Sequence, residues 1–569
     1  MKHHWHIAPA QPLRASRLEA ELGVSSLLAQ CLVNRGFAEP QEAAAFLHPR
    51  LRQLADPDLI PGLRAAVARL WHAREHGEPL VIFGDYDVDG VSATALLLQV
   101  MRPLGWNVEA YLPHRLDEGY GLTRDAVANC LQRFPVRLLL AVDCGSTATE
   151  TIHWLKGQGV DVVVLDHHQV ADPAPPADAL VNPQLGPGPG RELCSVGLAF
   201  KLAHGLVKLG RVKGLEAAEG YDLKPLLDLV ALGTIADLVP LTGENRILAT
   251  AGLKRLNARQ RPGVQALAEV AAIRGPIGRW EVGFQLAPRL NAAGRLEDAA
   301  EALELLMTPD PGRAEVIAHS LDARNTERQN LERGIAEQVI GAVRARFNPE
   351  ADYVIVEGEL LWHVGVVGIV ASRVLQEYYR PTLILGGDGH EWRGSGRSIE
   401  GFDLAAALRQ CGDLLVRHGG HAMAAGLTVR PENVPALRTR LNELARRTLR
   451  PEQLCPALEL DAAVGLDQLT VAGIGELEQL QPSGQGNPPV QVVVPGLRHR
   501  RPPQKVGRER QHAKFWLTQG GTTIEALWWG GGGKVWPDGL FDLAGVPQIN
   551  EFDGSRRAQL RVLDWRPAE

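Results

Sequence analysis

Four short runs in the first half of the chain are apolar at every position: LVIF at 80–83, LLLAV at 138–142, VVVL at 162–165 and ALV at 179–181. A strand with one wet face alternates apolar and polar residues, so uninterrupted runs require a sheet covered on both faces. Between them lie stretches of helical character such as VSATALLLQVM (91–101). This β-α alternation restricts the region from about residue 60 to 240 to a parallel sheet flanked by helices. Open parallel sheets take their ligands at the carboxyl ends of the strands.

Those ends carry acids and imidazoles. Asp85 and Asp87 follow the first run in GDYDVDG (84–90), Asp143 follows the second, and Asp166, His167 and His168 follow the third. Asp237 comes just past an apolar helix in LVALGTIADLVPL (229–241). The spacing of Asp85, Asp87, Asp89 and Gly90 also opens a calcium loop, but such a loop needs a bidentate glutamate at its twelfth position, which here is Leu96. Taken singly, an aspartate after a strand is most often a helix N-cap, and that accounts for Asp89 or Asp143 alone.

Jointly, several carboxylates at one sheet edge repel and raise one another's pKa, and a divalent cation is the simplest remedy. An oxygen-rich set with one or two imidazoles suits Mn2+ or Mg2+ better than zinc. Two such ions about 3.5 to 4 Å apart are the usual arrangement for phosphoryl transfer, so phosphoester hydrolysis is the expected chemistry. Cys144, beside Asp143, is expected to be a small buried residue rather than a nucleophile.

A chain of 569 residues is too long for one core. Residues 314–347 hold no proline and repeat apolar residues at helical spacing, which predicts a long helix joining two lobes. The second lobe opens on YVIVEG and carries glycine-rich segments, RGSGRS and HGGHAMAAG, expected as turns. After residue 450, short β-rich runs separated by glycine and proline predict a small barrel. The expected divisions are a helical segment at 1–55, a parallel-sheet domain at 56–250, a helical connector at 251–348, a smaller α/β domain at 349–449 and a barrel at 450–569. No run approaches the ~18 apolar residues of a membrane span, and MKHHWHIAPAQPL has no apolar core of a secretion signal, so a cytoplasmic protein is expected. Six cysteines without a C-x-x-C pair argue against a disulfide framework or zinc ribbon.

The formal net charge of −6 does not exclude a nucleic-acid partner, because phosphate binding depends on local charge. In GLRHRRPPQKVGRERQHAKFW (496–516) seven Lys or Arg accompany one acid, and Phe515 and Trp516 close the run. Cations neutralise the backbone and aromatics stack on unpaired bases, which makes Arg498, Arg500, Arg501, Lys505, Lys514, Phe515 and Trp516 the expected groove for a single strand.

GDYDVDG, AVDCGS, VLDHH and IADLVPL resemble, in sequence and order, the four motifs of the DHH phosphoesterase superfamily. WHVGVVGIVASR, GSGRS and GGHAMAAG resemble its DHHA1 domain, and LPHRLDEGYGL, APRLNAAGR and the β-rich tail are similar to segments of its single-strand-specific exonucleases, the tail to their OB fold. The resemblance implies a DHH lobe and a DHHA1 lobe joined by a long helix, with a C-terminal OB-like barrel. It makes Asp85 a ligand of one Mn2+ or Mg2+ ion, Asp87, His167 and Asp237 ligands of the second, and Asp143 the bridge, with His168 beside the scissile phosphate. Arg115, Tyr120 and Arg289 would line a pocket for the 5′-terminal nucleotide and its phosphate, Ser395, Arg397 and His421 on their glycine-rich segments would clamp the substrate, and Arg295, His363 and Arg373 are further expected substrate contacts. The implied activity is 5′-to-3′ digestion of single-stranded DNA to 5′-mononucleotides in repair and recombination, by a monomer whose partners are single-stranded DNA, a single-strand-binding protein and a helicase. Asp89 is left to its own turn. A small-substrate DHH enzyme would not need the barrel, so deleting 450–569 would discriminate, whereas a non-enzymatic scaffold would lack metal ligands that are all present here.

Overall fold

The structure is a computed structural model that describes residues 3–115, 117–296, 298–387, 389–552 and 554–568. Leu116, within the LPHRLDEGYGL segment, lies outside the described residues. The chain divides into two compact units, Gln11–Asn325 with Ala472–Val490, and Met1–Ala10 with Thr326–Val471 and Gln491–Glu569. The first strand, β1 (His4–Ile7), belongs to the latter and pairs in parallel with Ala457–Leu460. Residues 1–55 are therefore not wholly helical as expected, because their first residues find an edge to pair with far along the chain.

The unit that begins at Gln11 is built on five parallel strands: β2 (Leu80–Gly84), β3 (Val108–Tyr111), β4 (Leu138–Val142), β5 (Asp161–Leu165) and β6 (Ala179–Val181), in the order β3-β2-β4-β5-β6. β2 and β4 are buried at every position, which is why their sequences do not alternate. The helix Val88–Met101 is apolar nearly all round because it packs against both Ser195–Val212 and Leu227–Ala236.

The segment Ala472–Val490 is tied to this unit by a buried arginine. Arg246, 2 % exposed, gives its guanidinium to the carbonyls of Phe46 (2.7 Å), Gln479 (3.0 Å), Leu480 (3.0 Å) and Gln481 (2.9 Å), with the Phe46 ring 3.8 Å from its centre. Burial pushes its pKa down to about 10, yet the cation stays because it caps the carbonyl end of the helical turns at 471–480.

The linking helix runs from Pro311 to Arg346, as its periodicity predicts. Beyond it, β7 (Ile355–Leu360), β8 (Thr382–Gly387), β9 (Trp392–Arg397), β10 (Leu415–Gly420) and β11 (Ala424–Val429) form a sheet in the order β10-β11-β9-β8-β7, parallel only between β7 and β8. Of the glycine-rich segments expected as turns, RGSGRS is strand through Arg397, whereas HGGHAMAAG holds the end of β10, the start of β11 and the hairpin turn between them at 421–423. Gly394 and Gly396 are there for packing: a Cβ would meet Leu385 at 2.3 Å and Leu404 at 2.5 Å.

The chain then passes through β12 (Ala457–Leu460) and β13 (Ala462–Ala463) into five long strands: β14 (Val492–Val506), β15 (His512–Gln519), β16 (Thr522–Trp528), β17 (Phe541–Phe552) and β18 (Ser555–Pro567). They pair as β14-β15-β16-β18-β17, β17 returns to β14, and β16 and β18 run parallel, which closes a five-stranded barrel. Among the described residues no helix is long and apolar enough to cross a membrane. All six cysteines are free, and Cys144 is buried as expected.

Candidate metal centre

At the end of β2 the chain turns so sharply that a Cβ on Gly90 would lie 2.6 Å from the Asp85 carbonyl oxygen, which is what the glycine of GDYDVDG is for. Asp87 caps the helix Val88–Met101, its Oδ1 accepting from the amides of Asp89 (2.9 Å) and Gly90 (3.1 Å). Asp89, expected to serve its own turn, instead reaches across to the start of Ser195–Val212, accepting from the amides of Ser195 (2.7 Å) and Val196 (2.9 Å). The helix dipole and two orphan amides draw it there. Its carboxyl is pushed up to about 7 by burial and by the charge of Asp87.

Asp143, past the end of β4, adopts φ 65°, a left-handed conformation rare for a residue with a side chain. Its carboxylate is buried, and Oδ1 accepts from the Ser195 hydroxyl at 2.8 Å. Beyond β5, Asp166 organises the DHH turn: it accepts from the amides of Ser146 (3.0 Å), His167 (2.8 Å) and His168 (3.2 Å) and from Nδ1 of His168 (2.7 Å). Asn182, past β6, donates to Ser146 Oγ and to the His168 carbonyl. Asp237 follows the helix Leu227–Ala236, and His167 Nε2 lies 3.5 Å from both Asp237 and Asp143.

Ligand-capable atoms of Asp85, Asp87 and Asp143 lie within 4.8 Å of one another, as do those of Asp143, His167 and His168, and those of Asp89, Cys194 and Asp237. Asp85 Oδ1 and His167 Nε2 are buried with no hydrogen-bond partner. A buried polar atom without a partner costs about 1–3 kcal/mol, so two in one crevice call for a ligand. Burial and the charges of their neighbours push the carboxyls of Asp85 and Asp143 well above the usual range and that of Asp237 up to about 9. Burial and the His168 charge push His167 down to about 4, leaving a neutral imidazole with a lone pair to give. Burial alone would lower His168, but its bond to Asp166 prevails and raises it. This set of oxygens with a neutral imidazole fits two divalent cations of the Mn2+ or Mg2+ kind. Mn2+ at one hundred times its Kd is expected to stabilise the fold by about 2.7 kcal/mol per ion, seen as a rise of several degrees in Tm that EDTA reverses.

Around the crevice, Tyr120 is 58 % exposed with its hydroxyl 3.4 Å from His168 Nε2, and Arg115 stacks over Tyr86 at 5.1 Å. Arg289 is oriented by Asp322, which accepts from Nε at 2.8 Å, and by the Gln285 carbonyl, which accepts from Nη1 at 2.7 Å. Arg295 ends the same helix and acts electrostatically on Tyr86. That helix supports the acidic turn, with Asn291 Oδ1 accepting from the Val88 amide at 3.2 Å and Gly294 placed where a Cβ would meet the Tyr86 carbonyl at 2.8 Å.

The other unit holds the remaining candidates. In β9, Arg397 donates to Ser395 Oγ at 2.8 Å, and both side chains lie against Gly368, where a Cβ would meet them at 3.0 and 3.2 Å. His363 accepts from the Gly365 amide at 3.1 Å, Arg373 stands 3.8 Å from Glu332, and His421 is exposed just past the end of β10. On the barrel, Arg498, Arg500, Arg501 and Lys505 are exposed along β14. Trp516 carries the Arg501 guanidinium 3.3 Å from its ring centre and the Lys514 amine at 5.3 Å, while Lys514 also pairs with Glu525 at 2.8 Å. Phe515 does not join this face: at 1 % exposed it fills the barrel core, because neighbours along a strand point to opposite sides.

Sequence reasoning missed Ser195, Asp166, Asn182, Asn291 and Gly294 as supports. Only Asp166 and the APRLNAAGR segment carried a signal.

Three family models match the chain: the DHH family N-terminal domain over residues 79–234, the DHHA1 domain over 351–447 and the RecJ OB domain over 460–564. The single-stranded-DNA-specific exonuclease RecJ of Bacillus subtilis is 37 % identical over 100 % of this chain and 71 % of its own length. That of Escherichia coli K12 is 33 % identical over 96 % of each chain. The crystal structure of Thermus thermophilus RecJ in complex with Mn2+ matches with a TM-score of 0.85 and 31 % identity, covering 100 % of this chain and 80 % of that one, and its Mg2+ complex with 0.80 and 30 %. With the three domains, the acidic crevice and full-length similarity in agreement, the chain belongs to the RecJ family of DHH phosphoesterases.

Proposed function

We propose that this chain is a metal-dependent exonuclease that removes 5′-mononucleotides from the 5′ end of single-stranded DNA in repair and recombination. The observation that carries the reading is the convergence of Asp85, Asp87, Asp143, His167 and Asp237, from four separate segments, in one crevice where Asp85 Oδ1 and His167 Nε2 are buried without a partner. Asp85 would hold one ion, Asp87, His167 and Asp237 the other, and Asp143 would stand between them. When bound, the two cations supply Lewis-acid charge to the phosphoryl oxygens and make a water nucleophilic at neutral pH.

The side chains do the positioning. Ser195 donates to Asp143 Oδ1, the oxygen that also faces His167 Nε2 at 3.5 Å, and so fixes the orientation of the carboxylate. Asp166 accepts from His168 Nδ1 and raises the imidazole's pKa, which favours the charged form whose Nε2–H, beside Tyr120, can donate to a phosphate oxygen. Tyr120 and Arg115 offer a ring and a cation to the terminal nucleotide, and Ser395 and Arg397 offer a hydroxyl and a forked donor suited to phosphate. The cationic stripe with Trp516 on the barrel suits the backbone phosphates and unpaired bases of a single strand. Six free thiols accord with a reducing cytoplasm.

The test uses internally labelled oligonucleotides with Mn2+. A 5′-phosphorylated single strand is expected to be consumed to mononucleotides, a 5′-blocked one to persist, and a blunt duplex to be degraded far more slowly. Efficient digestion of the 5′-blocked strand would sink the reading. The tail is tested by substitution: Arg501→Ala with Lys505→Ala is expected to raise the KM for long oligonucleotides and to lower the slope of log K against log salt by about 0.7 for each phosphate that is no longer neutralised.

A further inference from the structure

The helical segment leading into APRLNAAGR carries two large aromatic side chains in the open. Trp280 is 52 % and Phe284 64 % exposed, their ring centroids 5.8 Å and their planes 27° apart. Leaving two adjacent rings in water forgoes the free energy of burying them, and a patch of this kind marks a contact surface.

Its surroundings specify the contact. Arg274 is exposed and Arg279 half-buried, and neither forms an ion pair among the described residues. The nearby acid, Glu281, spends its carboxylate on the Gly278 amide at 2.8 Å. Cations close in the chain to open rings suit phosphates and unpaired bases, whereas an apolar partner covering the segment would leave those cations desolvated and unpaired. Val282–Leu286 forms a π turn, a rare geometry that recurs at functional sites, and the two rings stand on either side of its start. The same helical run continues to Asn291 and Gly294, which support the acidic turn. At 1.5 Å per residue, Phe284 lies about 10 Å along the axis before Asn291.

We propose that Trp280 and Phe284 form a base-stacking platform for single-stranded DNA, gripping the strand a few nucleotides from the end being cut. The inference rests on the exonuclease reading and adds a determinant of substrate length. Such a platform binds without regard to sequence, because every base has a π face.

The test compares wild type, the double variant Trp280→Ala with Phe284→Ala, and Trp280→Phe. Binding of a thymidylate dodecamer is measured by anisotropy in EDTA, and turnover of the dodecamer and of a 5′-phosphorylated thymidine dinucleotide is measured in Mn2+. The double variant is expected to raise the Kd and KM for the dodecamer about tenfold or more, with dinucleotide turnover unchanged and Trp280→Phe close to wild type. A dodecamer Kd within twofold of wild type would overturn the proposal. So would an equal loss on the dinucleotide, which would place the rings in support of the crevice rather than on the strand. A wild type that digests neither substrate contradicts the exonuclease reading instead, while the binding arm still reads the platform on its own.

Discussion

Asp143→Asn gives a folded protein that binds single-stranded DNA and hydrolyses it about 10³-fold more slowly or worse. The carboxamide keeps an oxygen for the Ser195 hydroxyl and the shape of the turn, but loses the charge between the two expected ion sites. A stability measurement separates this from simple damage. In the metal-free protein the Asp143 carboxyl is pushed well up by burial and by Asp89, Asp87, Asp85 and Asp237. A raised folded-state pKa means stability that is present at low pH and is lost as pH rises toward that value. Metal-free Asp143→Asn is therefore expected to melt above metal-free wild type, with the gap widening from pH 5 to 8. Saturating Mn2+ should reverse the order, since only the wild type gains the bridge. Thermal melts with EDTA and with Mn2+ read both signs.

The second large effect is on folding. Arg246→Met is expected to destabilise the unit that holds the crevice by about 4 kcal/mol or more, because the carbonyls of Phe46, Gln479, Leu480 and Gln481 would be left buried without a donor. That is a large share of the ~5–15 kcal/mol by which domains are stable. Urea unfolding followed by circular dichroism checks it, and Arg246→Lys, which replaces a fork by one point donor, should recover only part. The same hydrogen bonds change how the barrel can be studied. Deleting residues 450–569 would remove Ala472–Val490 from the other unit and strip Arg246 of most of its acceptors. Such a truncation is expected to lose activity on every substrate through unfolding, so point substitutions on β14 are the proper probe of the barrel.

The parallel sheet was legible because burial on both faces forbids alternation in β2 and β4, and an uninterrupted apolar run has few other uses. The acid-tipped strand ends were legible for the same topological reason. What the sequence hid is direction at the level of single side chains. Asp87 and Asp89 sit two apart in one turn, yet Asp87 caps the local helix while Asp89 binds a helix more than one hundred residues away, and nothing local distinguishes them. Phe515 and Trp516 differ by one step in strand register, which puts one in the core and the other on the surface. Glycines at 394 and 396 read as turn residues, but they were selected by the tight approach of Leu385 and Leu404, a fact carried by residues elsewhere. Arg246 had no signature at all, since its acceptors are main-chain carbonyls.

The central claim is that the crevice holds two divalent ions through these residues. Counting them tests it most directly: metal-stripped protein is equilibrated with Mn2+ and the bound ions are measured by titration with electron paramagnetic resonance. Wild type is expected to bind two per chain with the spectrum of a coupled pair, and Asp143→Asn to lose the coupling and at least one ion. A wild type that binds one ion or none, or a variant indistinguishable from it, would contradict the account.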